Sequence, residues 1–424
     1  MSSKVVEAVL KRIVPMEEER KKISEIARMI MGRIESEGYK SVVVGSTARN
    51  TFIKGDRDID IFVFFPKTMQ RKEFEKKGVE LGKKVLSGYS PTVHYAEHPY
   101  VRGVVDGFKV EIVPCYKVEK KIISAVDRSP LHNEYLKAAM KEGQKNDVRL
   151  LKQFLKGVRL YGADQKTHGF SGYLCELLIL YYGNFESALE AVSKWKLPVM
   201  LGFDKHDYSR FQEQMIFIDP VDFDRNVAAA VSQTNLEKFV LNAREFLKKP
   251  SEDYFFPKKK EIDFKRAVAG KNLIMLVFDY PKAIVEEIVW SQLEKLSGSL
   301  KTQMELADFH VDRVKHWTDE KSKCAVTIEL EEMEISEKRK HAGPPVSLAK
   351  NAEEFKKRNK ETWIEGERLY AWKEREFTSA AKMLPSLLKK DLVPSHLEKP
   401  VKKAKILVNE KTVSEQEALQ DYFG

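Results

Sequence analysis

The sequence predicts an α+β multidomain chain: a mixed-sheet N-terminal domain over 1–149, a helical middle domain over 150–250 and a C-terminal α/β region over 251–424. Three observations predict it. The 424 residues exceed the roughly 250–300 that one hydrophobic core usually serves. Apolar periodicity is mixed in the first third, helical in the middle, and alternates between short β-rich runs and charged helices after a Pro250 to Lys260 break. Finally, 42% hydrophobic and 33% charged residues with only 16 Pro and 21 Gly exclude fibrous and disordered chains.

The elements follow in order. Ile13 to Glu37 reads as an amphipathic helix, with Ile23, Ile26, Ala27, Ile30 and Ile34 on one face, acids Glu17 to Glu19 at its start and Gly38 as its stop. Ser41 to Gly45 is a short strand, Ser46 to Thr51 a turn or two of helix, and Asp58 to Phe65 an apolar strand with acids at its start. Thr68 to Leu86 reads as a charged amphipathic helix, and Pro99 to Val118 as two strands joined at Asp106-Gly107, a favoured hairpin dipeptide. The middle gives helices at Val148 to Leu160, Gly169 to Tyr182, Phe185 to Lys196 and Leu236 to Leu247. In the last region, strands at Leu273 to Phe278, Ala325 to Leu330 and Thr362 to Trp372 alternate with helices at Ala283 to Phe309 and Leu348 to Lys360. The first of those helices carries Ile284, Ile288, Leu293, Leu296 and Leu300, a stripe that suits either a core or the face of a homodimer.

Lys and Arg outnumber Asp and Glu by 74 to 64, and 8 of that surplus of 10 lies within residues 1–150. A basic domain suits an acidic partner such as nucleic acid or nucleotide, and equally a solvated basic surface. Three widely spaced cysteines, Cys115, Cys175 and Cys324, give neither a disulfide framework nor a metal cluster and fit a reducing compartment. The charged N-terminus lacks a signal-peptide stretch and no run approaches the ~18–20 apolar residues of a membrane span, so the expected location is cytoplasmic, with no membrane partner.

Asp58 and Asp60 lie two apart on one strand, so both side chains share a face while Ile59 and Ile61 take the other. Two carboxylates so placed repel each other unless one is protonated or a cation lies between them, and a divalent metal is the natural occupant; strand-end acids in solvent are the competing reading. Glu111 interrupts the next apolar strand opposite Val110 and Ile112 and needs a partner, whereas Asp106, its rival, is first a turn residue. Three carboxylates on neighbouring strands can hold two Mg²⁺ about 3.5–4 Å apart, the arrangement that serves in-line displacement at phosphorus. Gly45-Ser46 closes one strand and opens a helix, where backbone N–H groups and a hydroxyl meet phosphate, or where serine is an ordinary cap; Arg49 follows one turn on.

The order GSTARN (45–50), GDRDID (55–60) and a third strand acid resembles the signature of the polymerase-beta-like nucleotidyltransferases. The stretches YAEHPYVRG (95–103), VPCY (113–116), SAVDRSPLH (124–132), VRLLKQFL (148–155), GFSGYLCE (169–176) and DPVDFDRNVAA (219–229) are similar to the archaeal, class I CCA-adding tRNA nucleotidyltransferases, closely over 1–250 and more in length and element order beyond. The resemblance implies a palm-like catalytic domain and template-independent addition and repair of the 3′-terminal CCA of tRNA from CTP and ATP, with pyrophosphate released. It implies that Asp58, Asp60 and Glu111 hold Mg²⁺ and that Gly45, Ser46, Arg49, His132, Lys152 and Tyr161 meet the nucleotide, with Lys152 and Tyr161 near the two ends of the first middle-domain helix. Glu97 and His98 would lie near the primer and incoming base. Arg225, on a helix capped by Asp219 and Asp222, would take part in base selection. Glu111 stands where the commonest superfamily pattern has an aspartate, and its extra methylene requires a folded rotamer or a backbone set back.

In the C-terminal region Lys338 to Lys340, Lys356 to Arg358, Lys389-Lys390 and Lys402-Lys403 recur among Phe355, Trp363, Tyr370, Trp372 and Phe377, a pattern that suits contact with an RNA arm or plain strand packing. Three other readings stay open: a poly(A) polymerase-like enzyme using ATP alone, a small-molecule nucleotidyltransferase, and a non-catalytic tRNA-binding protein.

Overall fold

The computed structural model describes residues 3–95, 97–118, 122–258, 261–282, 284–389 and 392–424. Ala96, Lys260, Ala283 and Lys390, which figure in the sequence reading, lie outside them. The chain forms two compact units, Met1–Lys258 and Lys259–Gly424.

The first unit opens with helices α1 (Ser3–Ile13) and α2 (Glu17–Ser36). The single helix expected from Ile13 is thus two, because Pro15 lacks an N–H and disfavours helical geometry in the residue before it. Then come β1 (Ser41–Val44), the one-turn α3 (Gly45–Arg49), β2 (Asp58–Phe65), α4 (Arg71–Val85), β3 (Thr92–Tyr95), β4 (Pro99–Val105) and β5 (Phe108–Tyr116). The five strands make one sheet in the order β1-β2-β5-β4-β3. Only β2 and β5 run parallel. Ile59, Ile61, Val110 and Ile112 are at most 1% exposed and pack on one sheet face with Ile30 and Ile34 of α2 and Phe74 and Leu81 of α4. That burial fixes the register, since a slip of one residue would turn the acids of β2 into the core. Asp106 and Gly107 take positive φ of 50° and 80° in the β4–β5 turn, and Asp106 pairs with Lys22, away from any acid cluster.

α5 (Arg128–Ala139), α6 (Gln144–Gly157), α7 (Gly172–Tyr182), α8 (Phe185–Val192) and α9 (Gln233–Lys248) follow and share a core in which Phe154 meets Phe185, Phe246 and Phe255 edge to face. This helical segment also holds a small sheet that its sequence did not announce: β6 (Val199–Leu201), β7 (Met215–Asp219) and β8 (Asp222–Asn226). Strands of three to five residues are too short for a periodicity signal. Arg225 therefore rides on a strand, not on a helix capped by Asp219 and Asp222.

The second unit contains α10 (Phe264–Val268), β9 (Asn272–Asp279), α11 (Glu286–Leu306), β10 (Val311–Thr318), β11 (Lys323–Leu330), β12 (Lys338–Pro345), α12 (Ala349–Arg358), β13 (Thr362–Glu365), β14 (Arg368–Glu374), α13 (Ala380–Leu387), α14 (Glu398–Val401), β15 (Lys405–Val408) and α15 (Gln416–Phe423). The sheet β10-β11-β9-β15 is packed by α11 and α13 on one face and by α10 and α15 on the other, in keeping with the α/β region expected. Of the expected stripe, Leu293, Leu296 and Leu300 of α11 are fully buried in that core and Ile284 packs against it, while Ile288 is 40% exposed. The run Thr362 to Trp372 is a hairpin, not one strand: Gly366, at φ 59°, turns β13 back onto β14, which also pairs with β12.

Candidate active site

β2 and β5 bring the acids together. Their parallel register sets Asp60 beside Glu111, and Asp58 beside Lys109, on the sheet face opposite the Ile59 and Ile61 core. Asp60 lines a cavity of about 430 Å³ together with Gly45, Ser46, Arg49, Glu111, His132, Lys152 and Tyr161, so eight of the residues singled out in the sequence meet in one place. Asp58 stands outside that lining, with its side chain 64% exposed and Oδ1 4.0 Å from Lys109 Nζ.

Burial pushes the Asp60 carboxyl up to about 7, with the charges of Glu111 and then Asp58 adding to the rise and those of Arg49 and Arg102 opposing it. A carboxylate so placed ionises at neutral pH only with difficulty, which is what a cation would relieve. The donor set fits Mg²⁺, a hard ion that takes carboxylate oxygens. Among the described residues no three such ligands already converge. Asp58 faces Lys109 outside the cavity, and Arg102 of β4, directly across the ladder from Glu111, holds that acid with Nε and Nη2 2.8 and 2.6 Å from its Oε1. As a ligand beside the aspartates Glu111 would have to turn from Arg102.

Because the folded-state pKa of Asp60 lies above the ordinary 3.8, the folded protein holds this proton where the unfolded chain has released it. Metal-free protein therefore loses stability as pH rises from about 4 through 7, by on the order of 4 kcal/mol at most from this group. Thermal unfolding in chelator across that range should show the decline, and Asp60→Asn should flatten it; equal slopes in the two proteins would refute the placement of Asp60.

Gly45 is required where it stands. Its φ of +76° favours glycine, and a Cβ there would fall 2.7 Å from Asp60 Oδ2. Ser46, next along α3, makes no described side-chain hydrogen bond and keeps its hydroxyl for the cavity.

Arg49 and Lys152 are only 8% and 2% exposed, and both meet Glu176 of α7, an acid with no exposure at all. Arg49 donates from Nε and Nη2 to the two carboxylate oxygens at 3.1 and 2.7 Å, and from Nη1 to Asn133 Oδ1 at 3.2 Å. Thr51 Oγ1 donates to Glu176 as well, while Lys152 Nζ lies 4.0 Å from Glu176 and donates to Thr51 O at 3.1 Å. Burial would push the Glu176 carboxyl up, but the charges of Arg49 and Lys152 and the bonds from Arg49 and Thr51 outweigh it and hold it low. Burial pulls Lys152 below the ordinary lysine value, with Glu176 opposing. Arg149, 2% exposed on α6, ties the same region down by donating to Phe52 O and Asn50 O at 2.9 and 2.6 Å.

Lys152 sits in the second half of α6, but Tyr161 lies past the end of that helix, bridged to Phe170 in a loop that returns to α7. Gly172, the first residue of α7, admits them both: a Cβ there would stand 2.9 Å from the Tyr161 hydroxyl and 3.7 Å from Lys152 Nζ. His132 donates from Nε2 to Asp219 Oδ2 at 2.8 Å and stacks on Tyr173, with ring centroids 3.9 Å apart. Arg225 donates to the same oxygen and is not part of the cavity lining.

Glu97 and His98 lie outside the cavity lining. Glu97 is exposed, and His98, 4% exposed, packs edge-on against Phe74 of α4 with Nε2 2.7 Å from Ser124 Oγ. Sequence reasoning passed over Arg102, Tyr173, Glu176 and the carboxylate of Asp219 as site residues. A signal existed for Glu176: it is the one acid in the otherwise apolar GYLCELLILYY of α7, and a charge there needs a buried partner.

A mixed sheet that carries paired acids beside a glycine-serine turn, with buried cations across the cavity, is the arrangement of a nucleotidyltransferase domain. The family model described as a nucleotidyltransferase domain matches residues 21–132, that of the second domain of tRNA nucleotidyltransferase matches 146–256, and that of the CCA-adding enzyme C-terminal domain matches 269–409. The CCA-adding enzyme of Methanococcus maripaludis strain C7 is 38% identical over 393 residues, 88% of each chain. That of Methanoregula boonei is 39% identical over 88% of this chain and 84% of its own, and that of Archaeoglobus fulgidus 38% over 88% and 87%. The chain belongs to the CCA-adding enzymes, which are tRNA nucleotidyltransferases. The solved Cid1 poly(U) polymerase covers 58% of this chain with a TM-score of 0.48 and 13% identity, too distant to add to that assignment. Among the described residues no helix is long and apolar enough to cross a membrane.

Proposed function

We propose that this one cavity adds C, C and A in turn to the 3′ end of tRNA from CTP and ATP, without a nucleic-acid template. The observation that carries the reading is the register of Asp60 beside Glu111 on the cavity wall that His132, Lys152 and Tyr161 complete. Asp58, Asp60 and Glu111 would hold Mg²⁺, which supplies charge neutralisation between acids and phosphates and eases deprotonation of the tRNA 3′-hydroxyl.

The chain's own residues do the rest. The Ser46 hydroxyl and the Lys152 ammonium donate to the triphosphate; Lys152 keeps N–H donors beyond the one on Thr51 O. Arg49, gripped along its Nε–Nη2 edge by Glu176 and held at Nη1 by Asn133, adds its charge from a fixed position rather than by reaching. Tyr161, whose hydroxyl is held protonated by burial, stays a hydrogen-bond donor at any working pH. Arg225 reads the base. In the second unit, Lys356, Lys357 and Arg358 end α12 and Trp372 of β14 is 50% exposed, which supports contact with the RNA arm, although Lys340 is paired with Glu365 and Arg339 with Asp308.

The test is incubation with tRNA lacking its last three, two or one nucleotides, each labelled NTP and Mg²⁺. Two C and one A followed by a halt is the expected result; unlimited A would mean poly(A) synthesis, and no incorporation a tRNA-binding protein without catalysis. Gly45→Ala should cut incorporation on the order of 10²-fold, because the new methyl displaces Asp60 and a reacting geometry misplaced by an ångström costs about that much. Single-turnover kinetics would show it, and a rate within a few-fold of the natural chain would contradict the close approach of Gly45 and Asp60.

A further inference from the structure

We infer that Asp219 is a positioning residue that couples the phosphate side of the cavity to the base-reading arginine, so that base choice depends on a seated triphosphate. The inference rests on two roles that the family resemblance implies and the proposed function adopts, His132 at the triphosphate and Arg225 at the base.

Asp219, at the end of β7, has no exposed surface and accepts four hydrogen bonds. Oδ1 accepts from the Tyr173 hydroxyl at 3.1 Å and from the Val221 amide at 3.1 Å, bonds that belong to the packing of α7 and the β7–β8 turn. Oδ2 accepts from His132 Nε2 at 2.8 Å and from Arg225 Nη1 at 2.7 Å. Those two donors come from α5 and β8, and together they take both lone pairs of a single oxygen.

A fully buried carboxylate cannot leave its charge unmet without a cost of several kcal/mol. When phosphate charge draws on His132, the carboxylate leans more on Arg225; when Arg225 engages a base, it leans more on His132. Linkage makes the effect reciprocal. The Tyr173 ring lies against the imidazole at 25° between planes, and its hydroxyl holds the same carboxylate, so His132 cannot tilt without disturbing Asp219. Among the described residues Arg225 makes no hydrogen bond other than the one to Asp219, and its side chain is 34% exposed, which leaves guanidinium nitrogens able to meet a ligand.

The experiment is a mutant cycle read as kcat/KM for CTP on tRNA lacking its CCA. His132→Gln, Arg225→Gln and the double variant are made with Asp219 and again with Asp219→Asn. With Asp219 present, the two losses should miss multiplying by about 5-fold or more; in the Asp219→Asn background they should multiply within about 2-fold. Multiplying losses in both backgrounds, or the same deviation in both, would overturn the coupling while leaving the two roles intact. No loss from either single variant would overturn the roles and the coupling together. If Asp219→Asn does not fold, equilibrium binding to the natural chain decides. Preference for CTP over UTP should exceed preference for cytidine over uridine at least about 5-fold; equal preferences would overturn the inference.

Discussion

Asp60→Asn protein incorporates neither CTP nor ATP into tRNA, its rate falling by at least about 10³-fold, the loss of roughly 4 kcal/mol of charge stabilisation at the reacting centre. Asparagine keeps the shape of the side chain and its place beside Glu111 but removes the charge that the cavity has made costly. Because that charge is repelled by Glu111 and Asp58, the variant should be at least as resistant to heat as the natural chain in chelator above pH 7. tRNA affinity should change by no more than a few-fold, since Asp60 lies inside the cavity and not on an exposed basic surface. Filter binding, calorimetric melting and incorporation of each labelled nucleotide separate these outcomes. Retained activity with either nucleotide would sink the assignment of Asp60, and lost activity with lost stability would reduce it to a structural role.

Glu176→Ala has the largest expected effect on stability. The carboxylate is fully buried, and its loss strands the Arg49 guanidinium, leaves the Thr51 hydroxyl without its acceptor and takes the nearest acid from Lys152, all at once. Breaking one side of a buried ion pair costs about 3–5 kcal/mol. For a unit of this size that lowers the melting temperature by roughly 10 °C. Glu176→Gln, which keeps an acceptor for Thr51, should lose less. A melting temperature unchanged by Glu176→Ala would mean that Arg49 and Lys152 are not held by this acid.

Much of the first unit was legible because its signals are local. Ile59 and Ile61 alternate with Asp58 and Asp60 on one strand, and Asp106-Gly107 is a turn dipeptide that can hardly be anything else. The cavity residues were legible because their short stretches keep the order of a known family, and they meet in the fold from segments as distant as Gly45 and Tyr161. The parts that were not legible depend on contacts between such segments. Nothing near Arg102 in the sequence says that it faces Glu111, because that pairing is made by the β4–β5 ladder. The place of His98 against Phe74 and Ser124 likewise depends on α4 and a later loop, so its burial could not be read from its motif. Arg225 was expected on a helix because DPVD reads as a cap; the strands on either side are too brief to register a period.

The most direct measurement uses the natural chain and tRNA whose terminal 3′-hydroxyl is replaced by hydrogen, so that nucleotide binds and transfer cannot occur. Calorimetric titration with CTP and ATP in Mg²⁺ should give one nucleotide per chain, with CTP preferred on tRNA ending before either C, ATP preferred on tRNA ending in CC, and each displacing the other. Two nucleotides bound at once, or CTP and ATP that fail to compete, would show that Asp60, Glu111, Lys152 and His132 do not form a single site for both.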